Sequence, residues 1–414
     1  MRVLIVTVGS WGDVAPYTGL GVRMRAAGHE VALATHARYA RAVEDHGLAF
    51  RAIPVDPREV LMSAHGQGLA RASSAPAVLA QVLRMGRESV PRLAAGMVAA
   101  VREGTDVLLA SAVAHPLCAT VAEARNAACI GAYLQPLEPT GAFAPVLSDF
   151  PSLGRRGNRL AGHLLWAAAD RVFAPAVADL RRRLGLPERA ISAVRRAVRA
   201  QTVCHGFSPT VVPVPADWPS HLKACGYWWP RRPAGWRPDD RLTAFLEAGP
   251  APVFVGFGSF VAADAARLSE LVTKAVRAAG MRAVVQSGWT GLRAEGDDVL
   301  TVSDVPHDWL FPHMAAVVHH AGAGTTAAGL RAGVPAVPVP VQLDQYFWAA
   351  RLVALGTAPT RIPYRHLTVP RLADAVHRAV REPAFGARSR RVATRLAAED
   401  GTAPVLAELA RLEA

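Results

Sequence analysis

Lysine is almost absent from this chain. Of its 414 residues only Lys223 and Lys274 are lysine, and arginine supplies the rest of the positive charge. The formal charge of +13 could signal nucleic acid or an anionic membrane surface. Arginine and alanine enriched together, with lysine missing, point instead to codon bias in a GC-rich genome. The arginines of "RRGNR", "LRRRLG" and "VRRAVR" fall at helical spacing between residues 155 and 199 and read as a solvated face. No aromatic-interleaved basic groove accompanies them, so nucleic acid is not expected as a partner. A weak contact with acidic lipid head groups stays open. Cysteine is also scarce: Cys118, Cys129, Cys204 and Cys225 form no C-x-x-C pair and join no histidine cluster. That argues against a zinc site and a disulfide framework. No apolar run reaches the roughly 18 residues that span a bilayer. The opening "MRVLIVTVGSWGD" is too short and β-branched in its apolar part for a signal peptide, and it lacks a small-residue cleavage site. It reads as the first buried strand of a parallel sheet, and the chain as a cytoplasmic protein. Neither G-x-G-x-x-G nor a Walker sequence is present.

What is present alternates. "RVLIVTV", "HEVALAT" and "LAFRAIPV" are predicted strands, separated by helices over Pro16–Ala27 and "HARYARAVEDHG". This spacing predicts a doubly wound parallel sheet. Residues 60–105 read as mostly helical with loop breaks, "DVLLASA" and "AACIGAYLQP" as further strands, and 156–200 as amphipathic helices. Residues 213–240, dense in proline and tryptophan, read as a stiff linker. After it the alternation restarts with "APVFVGFGS", "MRAVVQSG", "AAVVHH" and "VPAVPVP" as strands. The expected organisation is therefore a first α/β domain over 1–212, a linker over 213–240 and a second α/β domain over 241–414. The last helices are expected to pack back on the first domain.

The most informative stretch is "AVVHHAGAGTTAAGLRAGVPAVPVP", residues 316–340. The C-terminal edge of a parallel strand is where α/β proteins bind ligands. "AGAGTT" then opens a helix whose first N–H groups form a ready anion site. His320, Thr325 and Thr326 can add donors to a phosphate, and the threonines can also cap the helix. "VQLDQ" brings Asp344 and Gln345 to the same edge, where a carboxylate beside an amide suits vicinal sugar hydroxyls. "SDVPHDWLFP" supplies a loop with His307 for a base and ribose. Near the N-terminus, "TVGSWGDVAP" sets Asp13 in the loop after the first strand, where a general base fits.

These residues resemble the nucleotide-sugar-dependent glycosyltransferases of the GT-B fold, and within them the sterol glucosyltransferases and the vancomycin-type antibiotic glycosyltransferases. "GSWGDVAPYTGLG", "GYWWP", "PVFVGFGS", "SGWTGL", "VPHDWLFPH" and the whole of 315–356 carry the resemblance. It implies two Rossmann-like domains facing a central cleft, with the acceptor on the first and the donor on the second. It implies Asp13 as catalytic base and Ser10, Ser259, His320, Gly322, Gly324 and Thr325 on the donor diphosphate. Asp344 and Gln345 would hold the donor sugar, and Ser287, Trp289, Val305 and His307 the nucleoside. His115, Glu138 and Thr140 are candidates for the acceptor side, and the apolar segments 60–90 and 135–150 suggest a bulky hydrophobic acceptor. No D-x-D stands in a plausible position and the diphosphate has its own donors, so neither metal nor cofactor is expected. The co-substrate would be a UDP- or dTDP-sugar, and the protein a monomer or homodimer. A nucleotide-sugar epimerase and a non-catalytic helper of the same fold remain as rivals. Ala321 stands where many bacterial relatives have glycine, a change expected to preserve the turn.

Overall fold

The computed structural model describes residues 1–414 except 64, 65, 67, 69–74, 102, 103, 148, 150, 233 and 234. Part of the segment expected to shape the acceptor side, 64–74, thus lies largely outside the described residues. The chain divides into two compact units, Met1–Ala234 with Asp400–Ala414, and Gly235–Glu399.

The first unit is built on seven strands: β1 (Arg2–Val6), β2 (Glu30–His36), β3 (Ala49–Ile53), β4 (Val107–Ala110), β5 (Ala128–Tyr133), β6 (Val203–His205) and β7 (Leu222–Ala224). They lie in the order β3-β2-β1-β4-β5-β6-β7 and pair in parallel throughout. Both faces are covered, which is why the strands read as continuous apolar runs. Leu4, Val6 and Leu108 face a core shared with the helices Ala75–Ala100 and Gly154–Arg183. Val3, Ile5 and Leu109 face the other way, toward Tyr17, Leu20 and Met24 of the helix Trp11–Ala26. That helix starts five residues before the expected Pro16, which sits inside it at the sixth position and leaves the Gly12 carbonyl without its intrahelical donor.

The expected linker 213–240 is not a spacer. It contains β7, and its Trp228 is fully buried, donating from Nε1 to the carbonyl of Gly401 at 2.9 Å. The helix Ala403–Glu413 adds Val405 and Leu409 to the same core. Glu408 on that helix pairs with Lys223 of β7.

The second unit has β8 (Val253–Gly256), β9 (Ala283–Gln286), β10 (Val299–Val302), β11 (Ala316–His319) and β12 (Ala336–Pro338). Their order is β10-β9-β8-β11-β12, again wholly parallel. β10, β6 and β7 are strands that the sequence pattern did not indicate, because each is only three or four residues long. In each unit the sheet grows outward in both directions from its first strand. The loops after β1 and β4, and after β8 and β11, therefore diverge and leave a crevice at the strand ends. Among the described residues no helix is long and apolar enough to cross a membrane.

Candidate active site

In the first unit the loop after β1 carries Gly9, Ser10 and then Asp13, the third residue of the helix Trp11–Ala26. Asp13 Oδ2 accepts from the Ser10 N–H at 2.9 Å and from the Ser10 hydroxyl at 3.0 Å. Both bonds hold one oxygen of the carboxylate at the N-terminus of the helix, where the dipole favours negative charge. Removal from water outweighs these bonds and a further one from the Gln135 side chain, so the Asp13 pKa is raised above the ordinary aspartate value. A carboxylate of raised pKa is a stronger base. Gly9 has φ +142°, and a Cβ there would lie 2.4 Å from Asp13 Oδ2. Its N–H donates to His36 Nε2 at 2.9 Å, at the end of β2. His36 is 1% exposed, and burial lowers its pKa, keeping the ring neutral and able to accept. Gly9 and His36 are thus part of the Asp13 setting, although the sequence reading singled out neither. Ser10, expected against the diphosphate, commits its hydroxyl proton to Asp13.

The acceptor candidates separate. His115 is fully buried, with Nδ1 2.7 Å from the Tyr133 hydroxyl and Nε2 2.7 Å from Gln201 Oε1. Burial pulls its pKa down to about 4, and it is a core residue rather than an acceptor contact. Thr140 is likewise buried and donates to Asp217 Oδ1 at 2.6 Å, fixing a loop together with the Gly141 N–H on Oδ2 at 2.8 Å. Glu138 holds His205 Nε2 at 2.8 Å but also lines an apolar recess with Leu137, Phe143, Val146 and Leu165. Thr140 lines the same recess, whereas His115 is not among its lining residues. Within the other expected segment, 60–90, residues 75–90 belong to a long helix rather than a loop.

In the second unit the five parallel strands deliver Ser259, Ser287, Val305, His320 and Asp344 to loops at one edge of the sheet. Three of those loops are tied to each other. The Trp289 N–H donates to the Gly258 carbonyl at 3.0 Å, and the Ser287 N–H donates to the Val302 carbonyl at 3.0 Å. Gly258, at φ +55°, lies so near His320 that a Cβ would come within 2.7 Å of its Cε1. This contact is at the β8/β11 divergence itself.

The turn after β11 is sharper than its sequence suggests. Ala321 adopts φ +62°, the left-handed region that costs an L-residue with a side chain roughly 1–2 kcal/mol. The turn is preserved, as expected of alanine there, but at a strain glycine would not carry. Gly322 is the N-cap of the helix Ala323–Ala332, so Thr325 and Thr326 do not cap it as expected. The N–H groups of Ala323, Gly324 and Thr325 point out of the first turn without intrahelical acceptors. Two buried polar atoms beside them, His320 Nδ1 and Thr326 Oγ1, have no hydrogen-bond partner among the described residues. Burial, with a smaller contribution from His307, lowers the His320 pKa to about 4. The ring is therefore neutral and holds one N–H. Its neighbour His319 is pulled to about 3, mainly by burial, and accepts the Ala321 N–H on Nδ1 at 3.1 Å.

The residues expected on the sugar and the base are also engaged within their own unit. Gln345 Oε1 accepts from Val341 N–H at 2.8 Å and Gln342 N–H at 3.0 Å, so only its NH₂ group faces outward chemistry. Asp344 Oδ2 accepts at 2.9 Å from Nε1 of Trp348, which is fully buried. His307 stacks on Phe311, with centroids 4.3 Å apart, and meets Phe254 edge-on. Its ring is used in packing. Phe311 is a core anchor.

Comparison with known proteins places both units. Residues 3–119 match the glycosyltransferase family 28 N-terminal domain, and residues 280–412 match the erythromycin biosynthesis protein CIII-like C-terminal domain. O-mycaminosyltylonolide 6-deoxyallosyltransferase of Streptomyces fradiae is 35% identical over 410 residues, covering 97% of this chain and 95% of that protein. A sterol 3-beta-glucosyltransferase of Arabidopsis thaliana is 31% identical over 394 residues, 91% of this chain, and the chain spans 60% of that relative's length. Among solved structures, the kitacinnamycin glycosyltransferase superposes with a TM-score of 0.72 at 20% identity, over 99% of this chain and 98% of that one. Glycosyltransferase VinC in complex with dTDP gives 0.67 at 23%, over 100% and 99%. Those structures share the GT-B fold, and the sequence identity carries the rest: the chain is a member of the GT-B glycosyltransferases, in the group that holds the sterol glucosyltransferases and the macrolide and antibiotic sugar transferases.

Proposed function

We propose that this glycosyltransferase moves a hexose or deoxyhexose from a UDP- or dTDP-sugar to a hydroxyl of a lipophilic small molecule, such as a sterol, macrolide, polyketide or aromatic product, with inversion. The observation that carries the donor half is the first turn of the helix Ala323–Ala332, with its unmatched His320 Nδ1 and Thr326 Oγ1. A diphosphate there meets oriented N–H donors and the positive end of the helix. Asp344 and the Gln345 amide take the sugar, and the backbone of Val305–His307 takes the base. The relatives named for sterol and macrolide-type substrates support the acceptor class.

In the reaction the acceptor oxygen attacks the anomeric carbon while its proton passes to Asp13. The bond from that carbon to the diphosphate breaks, and the leaving group takes the electron pair. Charge develops on the diphosphate oxygens, where the helix N-terminus and the His320 N–H stabilise it. These donors supply the positive potential that a metal supplies in other transferases, so the reaction is proposed to need none. A single displacement inverts the anomeric centre.

The test is release of nucleoside diphosphate from UDP-glucose and dTDP-glucose with a panel of hydroxylated hydrophobic acceptors, with and without EDTA. Acceptor-dependent release that survives EDTA and is lost in Asp13→Ala supports the reading. Release that ignores every acceptor, or that Asp13→Ala retains in full, overturns it.

A further inference from the structure

The helix Gly154–Arg183 presents a surface that catalysis does not use. Leu153, at its N-cap, and Leu160 and Leu164 are 59%, 61% and 63% exposed. Spacings of seven and four residues put all three on one stripe of a 3.6-residue helix. A single exposed leucine is ordinary, but three in one stripe form a patch. By the same period, Arg156, Arg159 and His163 run along one flank of the stripe, whereas Arg155 falls nearly opposite it. Residues 151–169 contain no acidic residue. Arg155 and Arg156 are exposed and have no acidic partner among the described residues. Arg159 differs, since it reaches Asp217 at 3.8 Å. The helix is anchored by its other side, where Asn158 and Gly162 are buried and Gly162 abuts Pro139. Its outward side is therefore apolar along one line and cationic along the next.

We propose that this face rests on an anionic lipid surface. The leucines enter the boundary of the acyl region, and the arginine stems reach past them to put their guanidinium groups among lipid phosphates. Attraction of the whole +13 chain to a negative leaflet acts in the same direction. A narrow stripe of three leucines offers no groove to set the register of a protein partner, whereas a fluid bilayer asks only for apolar depth beside positive charge. The inference is independent of which donor or acceptor the enzyme uses.

Co-sedimentation with vesicles tests it, using phosphatidylglycerol mixed equally with phosphatidylcholine against phosphatidylcholine alone, at low and high salt. The full chain is expected to sediment with the anionic vesicles only. The variant R156Q is expected to bind about fivefold more weakly. L160S/L164S is expected to lose the binding that survives high salt. All these side chains are exposed, so thermal melts and donor hydrolysis should match the parent chain. The proposal fails if the parent chain stays in the supernatant, binds both vesicles equally, or is matched by either variant. It also fails if light scattering shows a dimer that L160S/L164S makes monomeric without any vesicle binding, since a second copy would then cover the stripe.

Discussion

Replacing Gly9 by alanine should separate the positioning of the base from its chemistry. The new Cβ would stand 2.4 Å from Asp13 Oδ2, 2.7 Å from its Cγ and 2.8 Å from its Cβ. Real contacts begin near 3.0 Å and relax at 3.4 Å, so the carboxylate must retreat by 0.6 to 1.0 Å. Its two bonds from Ser10, at 2.9 and 3.0 Å, do not survive such a move unchanged. A misplacement of about 1 Å costs on the order of a hundredfold in rate. The backbone at φ +142° is also one that alanine occupies only at about 1–3 kcal/mol. Gly9→Ala should therefore lower kcat about a hundredfold, leave the donor KM near its original value and lower the melting temperature by several degrees. Steady-state kinetics and a thermal melt on the same preparation check this, with Asp13→Ala setting the floor. A variant whose kcat stays within threefold, with the fold intact, would refute the idea that Gly9 makes room for the base. A proportional rise in donor KM would refute the assignment of this loop to the acceptor hydroxyl alone.

Ala321→Gly should change stability by less than about 1 kcal/mol in either direction, because relief of the strain at φ +62° opposes the added freedom of the unfolded glycine; urea titration measures it. Trp348→Phe keeps a buried ring but deletes the donor to Asp344, and should raise the donor KM about tenfold, the worth of one hydrogen bond to a charged group, with kcat changed less. Acid should destabilise the protein. His115, His319 and His320 are held neutral at pKa values of about 4, 3 and 4, below the ordinary value of 6.5. Between pH 6.5 and about 4 the unfolded chain binds the extra protons, so stability falls as pH drops through that window. Asp13, with its raised pKa, acts in the opposite sense and offsets a part of this. Melts at intervals from pH 7.5 to 4 should show the decline, and a flat profile would contradict the burial of these rings.

Local patterns in the chain were readable because they depend on neighbours in sequence. The alternation of β-branched runs with helices, the small-residue turn at 321–324 and the place of Asp13 shortly after the first strand all follow from spacing. What escaped depends on partners far along the chain. His36 matters only because β2 lies beside β1, which brings its Nε2 to the Gly9 N–H. Gly258 and His320 meet because β8 pairs with β11, and no spacing rule joins residues 62 positions apart. His115 had the same signature as a cleft histidine, a ring just after a strand. Its burial against Tyr133 and Gln201 is visible only once β5 and the chain after Arg199 are in place. Gln345 was expected beside Asp344 on the sugar, and the oxygen half of its amide holds its own loop. His36 also stands at the C-terminal end of a strand, the one sequence signal that could have flagged it.

The placement of Val405 and Leu409 beside Ile5 and Leu20 has a consequence for how this enzyme is made. On a ribosome the first unit is started first but cannot close one side of its core until residue 409 has emerged. The second unit, complete by residue 399, can finish beforehand. The polypeptide is therefore stitched from its two ends. A fragment ending at 234 would carry an open apolar seam, and truncating some fifteen residues from the far end should damage the acceptor-side unit while sparing the donor-side one.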